Sequence, residues 1–104
     1  MFATIERVPD GVEPVATVIE PEGATVVLRR DEADRLGLAY DYVAARIVLG
    51  AETDLADVGV TAAFATALAR LGIGCNVMAG VHHDHVFVPY DRAAEAVEAI
   101  AALP

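Results

Sequence analysis

The chain has 104 residues, 56% of them hydrophobic, with sixteen Asp and Glu against seven Lys and Arg and a formal net charge of −9. That length suits one domain, and no apolar run approaches the about 18 residues that a membrane-spanning helix needs. The acidity disfavours phosphate backbones and anionic membrane surfaces, so nucleic acid and membrane are not expected as partners.

The first segment, "MFATIERVPDG", carries Glu6, Arg7 and Asp10 and has no apolar core of signal-peptide length. Residues 2–8 and 14–20 read as strands flanking the turn signal Pro9-Asp10-Gly11, which predicts a first hairpin. Residues 22–29, "EGATVVLR", read as a third strand after the break at Pro21 and Gly23. "RDEADRLGL" follows as a short helix, with Asp31 placed to cap it and Gly37 to end it.

The second half is more regular. Val43, Ala45, Ile47 and Leu49 alternate through "YVAARIVLG", as in a half-buried strand. After the loop "AETDLADVG", the residues Val60, Ala63, Phe64, Ala67, Leu68 and Leu71 repeat at helical spacing, and Gly72 closes that helix. Residues 75–81 and 85–90 read as two strands. Asp91 is then expected to cap an alanine-rich helix in which Ala93, Val97 and Ile100 lie near one face. No internal repeat stands out by identity. The pattern predicts an α+β, ferredoxin-like antiparallel sheet with helices on one face. Residues 42–104 form its βαββα unit, and residues 1–41 supply strands and a short helix that complete or extend the sheet. Unsatisfied sheet edges make a homodimer the expected assembly.

Three histidines and an aspartate crowd the predicted hairpin at His82, His83, Asp84 and His85. In extended geometry His83 and His85 share a face while His82 points away. Two histidines begin a metal site, but no further ligand pair stands at a recognisable spacing. A histidine beside an aspartate also suits acid–base work, yet no partnered nucleophile, nucleophile elbow or phosphate loop accompanies it. The favoured reading is structural: Asp84 stabilises the turn and the histidines fill half-exposed positions. The alternatives are a metal-binding protein or enzyme using His83 and His85, or a protein–protein interaction module whose exposed sheet edge recruits another protein.

Gly59 lies between the loop and the long helix. There it either solves a tight turn or opens a helix N-terminus whose N–H groups hold an anion such as a carboxylate. Cys75, the one cysteine, permits no intramolecular disulfide and reads as a small apolar filler. With no export signal, this fits a cytoplasmic protein. The amide of Asn76 is the better candidate to read a polar ligand.

The stretch "VGVTAAFATALARLGIGCNVMAGVHHDHVFVPYDRAAEAVEAI" resembles the C-terminal part of a family of small bacterial ACT-domain-like proteins. The resemblance rests on Val58, Gly59, Thr61 and Ala62; on Gly72, Ile73, Cys75, Asn76 and Val77; and on His83, Asp84, His85, Phe87, Val88 and Pro89, a His-Asp-His-x-Phe-Val-Pro motif. "TVVLRRDEADRLGLAYDY" is similar to the family's middle segment, so the likeness spans roughly residues 24 to 103. It implies a βαββαβ fold and a non-catalytic, dimeric regulatory module that binds a small metabolite, such as an amino acid, at an interface. No cofactor is implied. Carried onto this chain, the ligand segments are Asp57, Val58, Gly59, Val60 and Thr61, and Cys75, Asn76, Val77 and Met78. The chain departs from the family at His82, where an aromatic is usual, and at Arg46, where a tryptophan is usual. Glu52, Thr53 and Asp54 replace a His-Ser-Ser, and their carboxylates would repel a ligand's carboxylate while suiting its amine.

Overall fold

The computed structural model describes residues 2–5, 8–40, 42–49 and 58–103. The chain divides into two compact units, Met1–Val43 and Ala44–Pro104. Each is an antiparallel three-stranded sheet with helix packed on it, so the α+β, ferredoxin-like expectation holds.

The first unit contains β1 (Phe2–Ile5), β2 (Ala16–Glu20), β3 (Gly23–Val27) and α1 (Arg30–Arg35). Its strand order is β1-β3-β2, with Phe2 and Ala16 both opposite Val27. The expected hairpin between the first two strands is therefore corrected. Its turn exists, with Gly11 at φ 79° and Val12 N–H donating to the Pro9 carbonyl at 3.3 Å, but β1 and β2 each pair with β3. The reason lies in burial. Ala24, Val26 and Val27 are buried on both faces of β3, whereas Thr17 to Glu20 of β2 are exposed. A strand apolar on both faces takes the centre of a sheet, and a polar one its edge. The three strands β1, β2 and β3 pair among themselves in one sheet.

Val12, Ala24, Val26, Leu28 and Ala33 form the first unit's core, with Ile5, Val8, Leu36 and Leu38 packed against it. Asp31 does not cap α1. The capping position is Arg29, which makes no side-chain capping bond, and Asp31 sits inside the first turn, where its Oδ1 accepts the Glu32 N–H at 3.0 Å. Gly37 does end the helix, at φ 66°. Its N–H reaches the Asp34 carbonyl, and that of Leu38 reaches the Ala33 carbonyl, both at 3.1 Å. This is the Schellman arrangement, which satisfies the last carbonyls of a helix.

The second unit contains β4 (Ala44–Val48), α2 (Val60–Arg70), β5 (Asn76–Ala79), β6 (Asp84–Pro89), a 3-10 turn (Tyr90–Arg92) and α3 (Ala93–Ala101). Strand order is β4-β6-β5, with Val48 and Met78 both opposite His85, and Arg46 and Asn76 both opposite Phe87. The helical stripe read from sequence is the one that packs. Phe64 and Leu68 of α2 join Ile73, Val86, Val88 and Ala96 in a core lined further by Ala45, Ile47, Leu49 and Val60. Full burial of each large side chain is worth about 1.5–3 kcal/mol. Gly72, at φ 69°, ends α2 by the same Schellman arrangement, with Gly72 N–H on Ala69 and Ile73 N–H on Leu68, each 3.0 Å. Two details of α3 are corrected. Asp91 lies within the 3-10 turn rather than at the helix cap, which is Arg92. The second is the inward face, on which Ala96 is fully buried while Val97 is 50% exposed.

The two units repeat one topology that identity conceals. In each, the third strand lies between the first and second, and a helix follows it. Val26 and Leu28 in one correspond to Val86 and Val88 in the other, and Ala33 to Ala96, all buried. The difference is the crossover. The second unit spans it with α2, whereas residues 8–15 of the first contain no helix and contribute Val8 and Val12 to the core. Ile19 on β2 accordingly stays 81% exposed.

Candidate functional site

The α2 N-terminus begins at Gly59, which holds φ 91° in the left-handed region that glycine enters without a Cβ penalty. Its carbonyl accepts the Ala63 N–H at 3.0 Å, the first bond of the helix. No side chain caps this end, and its first turn carries no acidic residue. The early N–H groups and the positive end of the helix dipole thus face outward, with Val58 95% exposed and Thr61 exposed. Val60 turns inward onto the core. Asp57, and Glu52, Thr53 and Asp54 before it, lie outside the described residues.

The second predicted segment alternates. Cys75 and Val77 pack toward the helix-covered core, whereas Asn76 is exposed and shares the opposite sheet face with Met78. Cys75 is a free, half-buried thiol, in keeping with its reading as filler. Only the short link from Leu71 to Cys75 joins α2 to β5, so Asn76 sits at the C-terminal end of α2. Gly59 is at the other end, and the eleven residues of α2 put about 16 Å between them at 1.5 Å per residue. Within one copy, the structure does not bring Val58–Thr61 and Cys75–Asn76 together.

The hairpin between β5 and β6 does bring its histidines together. Gly80 pairs with His83, its N–H donating to the His83 carbonyl at 2.9 Å, and Met78 pairs with His85. A Cβ on Gly80 would stand 2.9 Å from that carbonyl and 3.4 Å from His85 Nε2, so the His85 ring lies over the glycine. His83 and His85 thus share the helix-free face with Met78, while His82 is exposed. Asp84 alternates to the other side and is buried. Gly80→Ala is expected to lower stability by about 1–3 kcal/mol, because backbone rather than a flexible side chain must yield. Chemical denaturation measures this, and a neutral substitution would refute the packing described.

Arg92 ties the two helices of this unit together. Its Nε is 2.7 Å from Glu95 Oε1, and its Nη2 donates to Glu95 Oε2 and to the Leu71 carbonyl, both at 3.0 Å. The hydrogen bonds from Arg92 hold the Glu95 carboxyl below the usual carboxylate range. Arg35 lowers the Glu32 carboxyl in the same way. Both pairs are exposed, and such pairs add little to stability.

Two depressions lie away from these segments, and nothing in the sequence marks them. One, of about 650 Å³, is lined by Gly11, Val12, Glu13, Arg29, Asp31 and Glu32. The other, of about 380 Å³, runs between Leu71 and the Glu95, Glu98, Ala99 and Ala102 face of α3. Among the described residues no three or more of His, Cys, Asp and Glu are grouped to hold a metal, and no helix is long and apolar enough to cross a membrane.

Comparison with known proteins decides the family. ACT-domain models match residues 1–45 and 41–102, the second covering more than half of the chain. The chain belongs to the ACT-domain family. It is a tandem ACT protein, which accounts for the topology repeated in its two units. ACT domains are non-catalytic regulatory modules that bind ligands, and the ferredoxin-like sheet is theirs. A crystal structure of a Vibrio cholerae protein of unknown function, described as a possible transport protein, is similar at 42% identity and a TM-score of 0.88. The match covers 95% of this chain and 78% of that one. No curated protein matches the sequence.

Proposed function

We propose that this ACT protein is a cytoplasmic regulatory module that senses an amino-acid-like metabolite between two copies of the chain. The observation that carries the reading is the N-terminus of α2 at Gly59 in an ACT unit, which has no side-chain capping bond and no acidic residue in its first turn. Backbone N–H groups there suit a ligand carboxylate. The residues supporting it are Asp57, Val58, Gly59, Val60 and Thr61 on one side and Cys75, Asn76, Val77 and Met78 on the other. Asn76 supplies an amide for the ligand's polar groups, and Cys75 and Val77 act through packing.

Geometry favours a shared site. Gly59 and Asn76 stand about a helix length apart in one copy, so a ligand touching both draws them from different copies. β5 is an edge strand of its sheet, and its outer backbone groups suit pairing with a neighbour. In this reading residues 42–104 form the ligand-reading unit and residues 1–41 the accompanying strands and helix. Output passes to a partner protein when the ligand shifts the dimer between two arrangements.

Mixing two defective proteins tests the shared site. Thr61→Glu and Asn76→Ala should each bind amino acid poorly alone. After joint refolding, mixed dimers hold one intact site and binding returns, read as a ligand-dependent rise in unfolding midpoint. A mixture no better than either variant would refute the two-copy site.

A further inference from the structure

We propose that the β5–β6 hairpin is a Cu(I) site built from His83, His85 and the thioether of Met78. The Nδ1 atoms of His83 and His85 are both buried and without a hydrogen-bond partner. Buried polar atoms are nearly always satisfied, and two such atoms on neighbouring side chains call for an occupant. The hairpin register says what else is present. Met78 stands directly opposite His85, and Gly80 stands opposite His83. Side chains directly opposite have Cβ atoms about 4.5–5.5 Å apart, and alternate residues on a strand are about 7 Å apart. The register thus places all three donor side chains on one face of the hairpin. The His85 ring packs over Gly80, with Nε2 3.4 Å from where a Cβ would stand, and its Nδ1 is the nitrogen left without a partner.

The donor set selects the metal. Among the described residues no carboxylate or thiolate joins it. Asp84 lies on the opposite face, Cys75 packs toward the core, and no group of three His, Cys, Asp or Glu is present among the described residues. A closed zinc site needs a full tetrahedral set, which the described residues do not supply. Two neutral imidazoles and a soft, polarisable thioether suit a soft monovalent cation that accepts few ligands, which is Cu(I).

The test is an anaerobic titration of the full chain with Cu(I) against a chromophoric chelator, with each variant's unfolding midpoint recorded. The expected result is one equivalent held, with sulfur and nitrogen scatterers in the X-ray absorption spectrum. His83→Ala and His85→Ala should each surrender the metal. Met78→Leu keeps size and apolarity, so it reports even where a histidine variant folds poorly. It should lose the sulfur scatterer and weaken binding by at least about tenfold, since even outer-shell changes cost that much. Cys75→Ser should bind as the wild type does. The proposal is overturned by a wild type that holds no Cu(I), by binding that survives loss of both histidines or of the Met78 sulfur, or by binding lost in Cys75→Ser.

Discussion

Leu68→Ala is expected to lower the unfolding free energy of the second unit by about 3–4 kcal/mol, within the range for truncating a fully buried leucine. Leu68 has no exposed surface and lies between Phe64, Val86, Val88 and Ala96. Its carbonyl also accepts the N–H groups of Leu71 and Ile73, each at 3.0 Å, so the side chain is anchored where the backbone has least freedom to relax into the gap. The cavity therefore persists, and its cost adds to the lost transfer energy. Leu71, three residues on and 47% exposed, is the control. Leu71→Ala should stay within about 1 kcal/mol, as partly exposed positions do. Urea denaturation should show the Leu68 midpoint falling with little change in slope. A loss under about 1.5 kcal/mol would mean that α2 is not the element holding this sheet.

Thr61→Glu is expected to move stability and ligand affinity in opposite directions. Thr61 is exposed in the first turn of α2, where no acidic residue offsets the helix dipole. A glutamate there gains about 0.3–1 kcal/mol from the dipole. The same charge occupies the electrostatic position assigned to the ligand carboxylate, so affinity should fall by tenfold or more, about 1.4 kcal/mol. Substitution of Gly59 is a poorer probe, although open space surrounds a Cβ built there. At φ 91° any L-residue is strained, and lost binding would not be separable from a distorted helix start. Opposite signs in a single variant cannot arise from general unfolding.

The helical stripe at Val60, Phe64 and Leu68 was legible because large side chains recur at a period that only a helix serves. Gly37 and Gly72 were legible as helix ends for a local reason, the left-handed backbone. The pairing of β5 with β6 was legible, but that of the first unit was not. A Pro-Asp-Gly turn sits between β1 and β2, and only the burial of β3 on both faces shows that it must part them. The two capping aspartates failed together. Asp31 and Asp91 lie one or two residues inside their turns, because the chain leaves each preceding strand earlier than composition suggests. In α3, alanine at most positions leaves a weak stripe, and a rotation by a single residue exchanges Ala96 for Val97 on the buried face. The convergence of His83 and His85 followed from alternation alone. Met78 beside them did not, since it depends on a cross-strand register fixed by Gly80.

Unfolding the dialysed wild type and Thr61→Glu side by side against each common amino acid tests whether an amino-acid-like metabolite binds at the α2 N-terminus. Binding to the native state raises stability by about 2.7 kcal/mol at a hundredfold excess over Kd. The account predicts that one or two amino acids raise the wild-type midpoint by several degrees and leave that of Thr61→Glu nearly unmoved. Midpoints unchanged by every amino acid, or raised equally in both proteins, would contradict it.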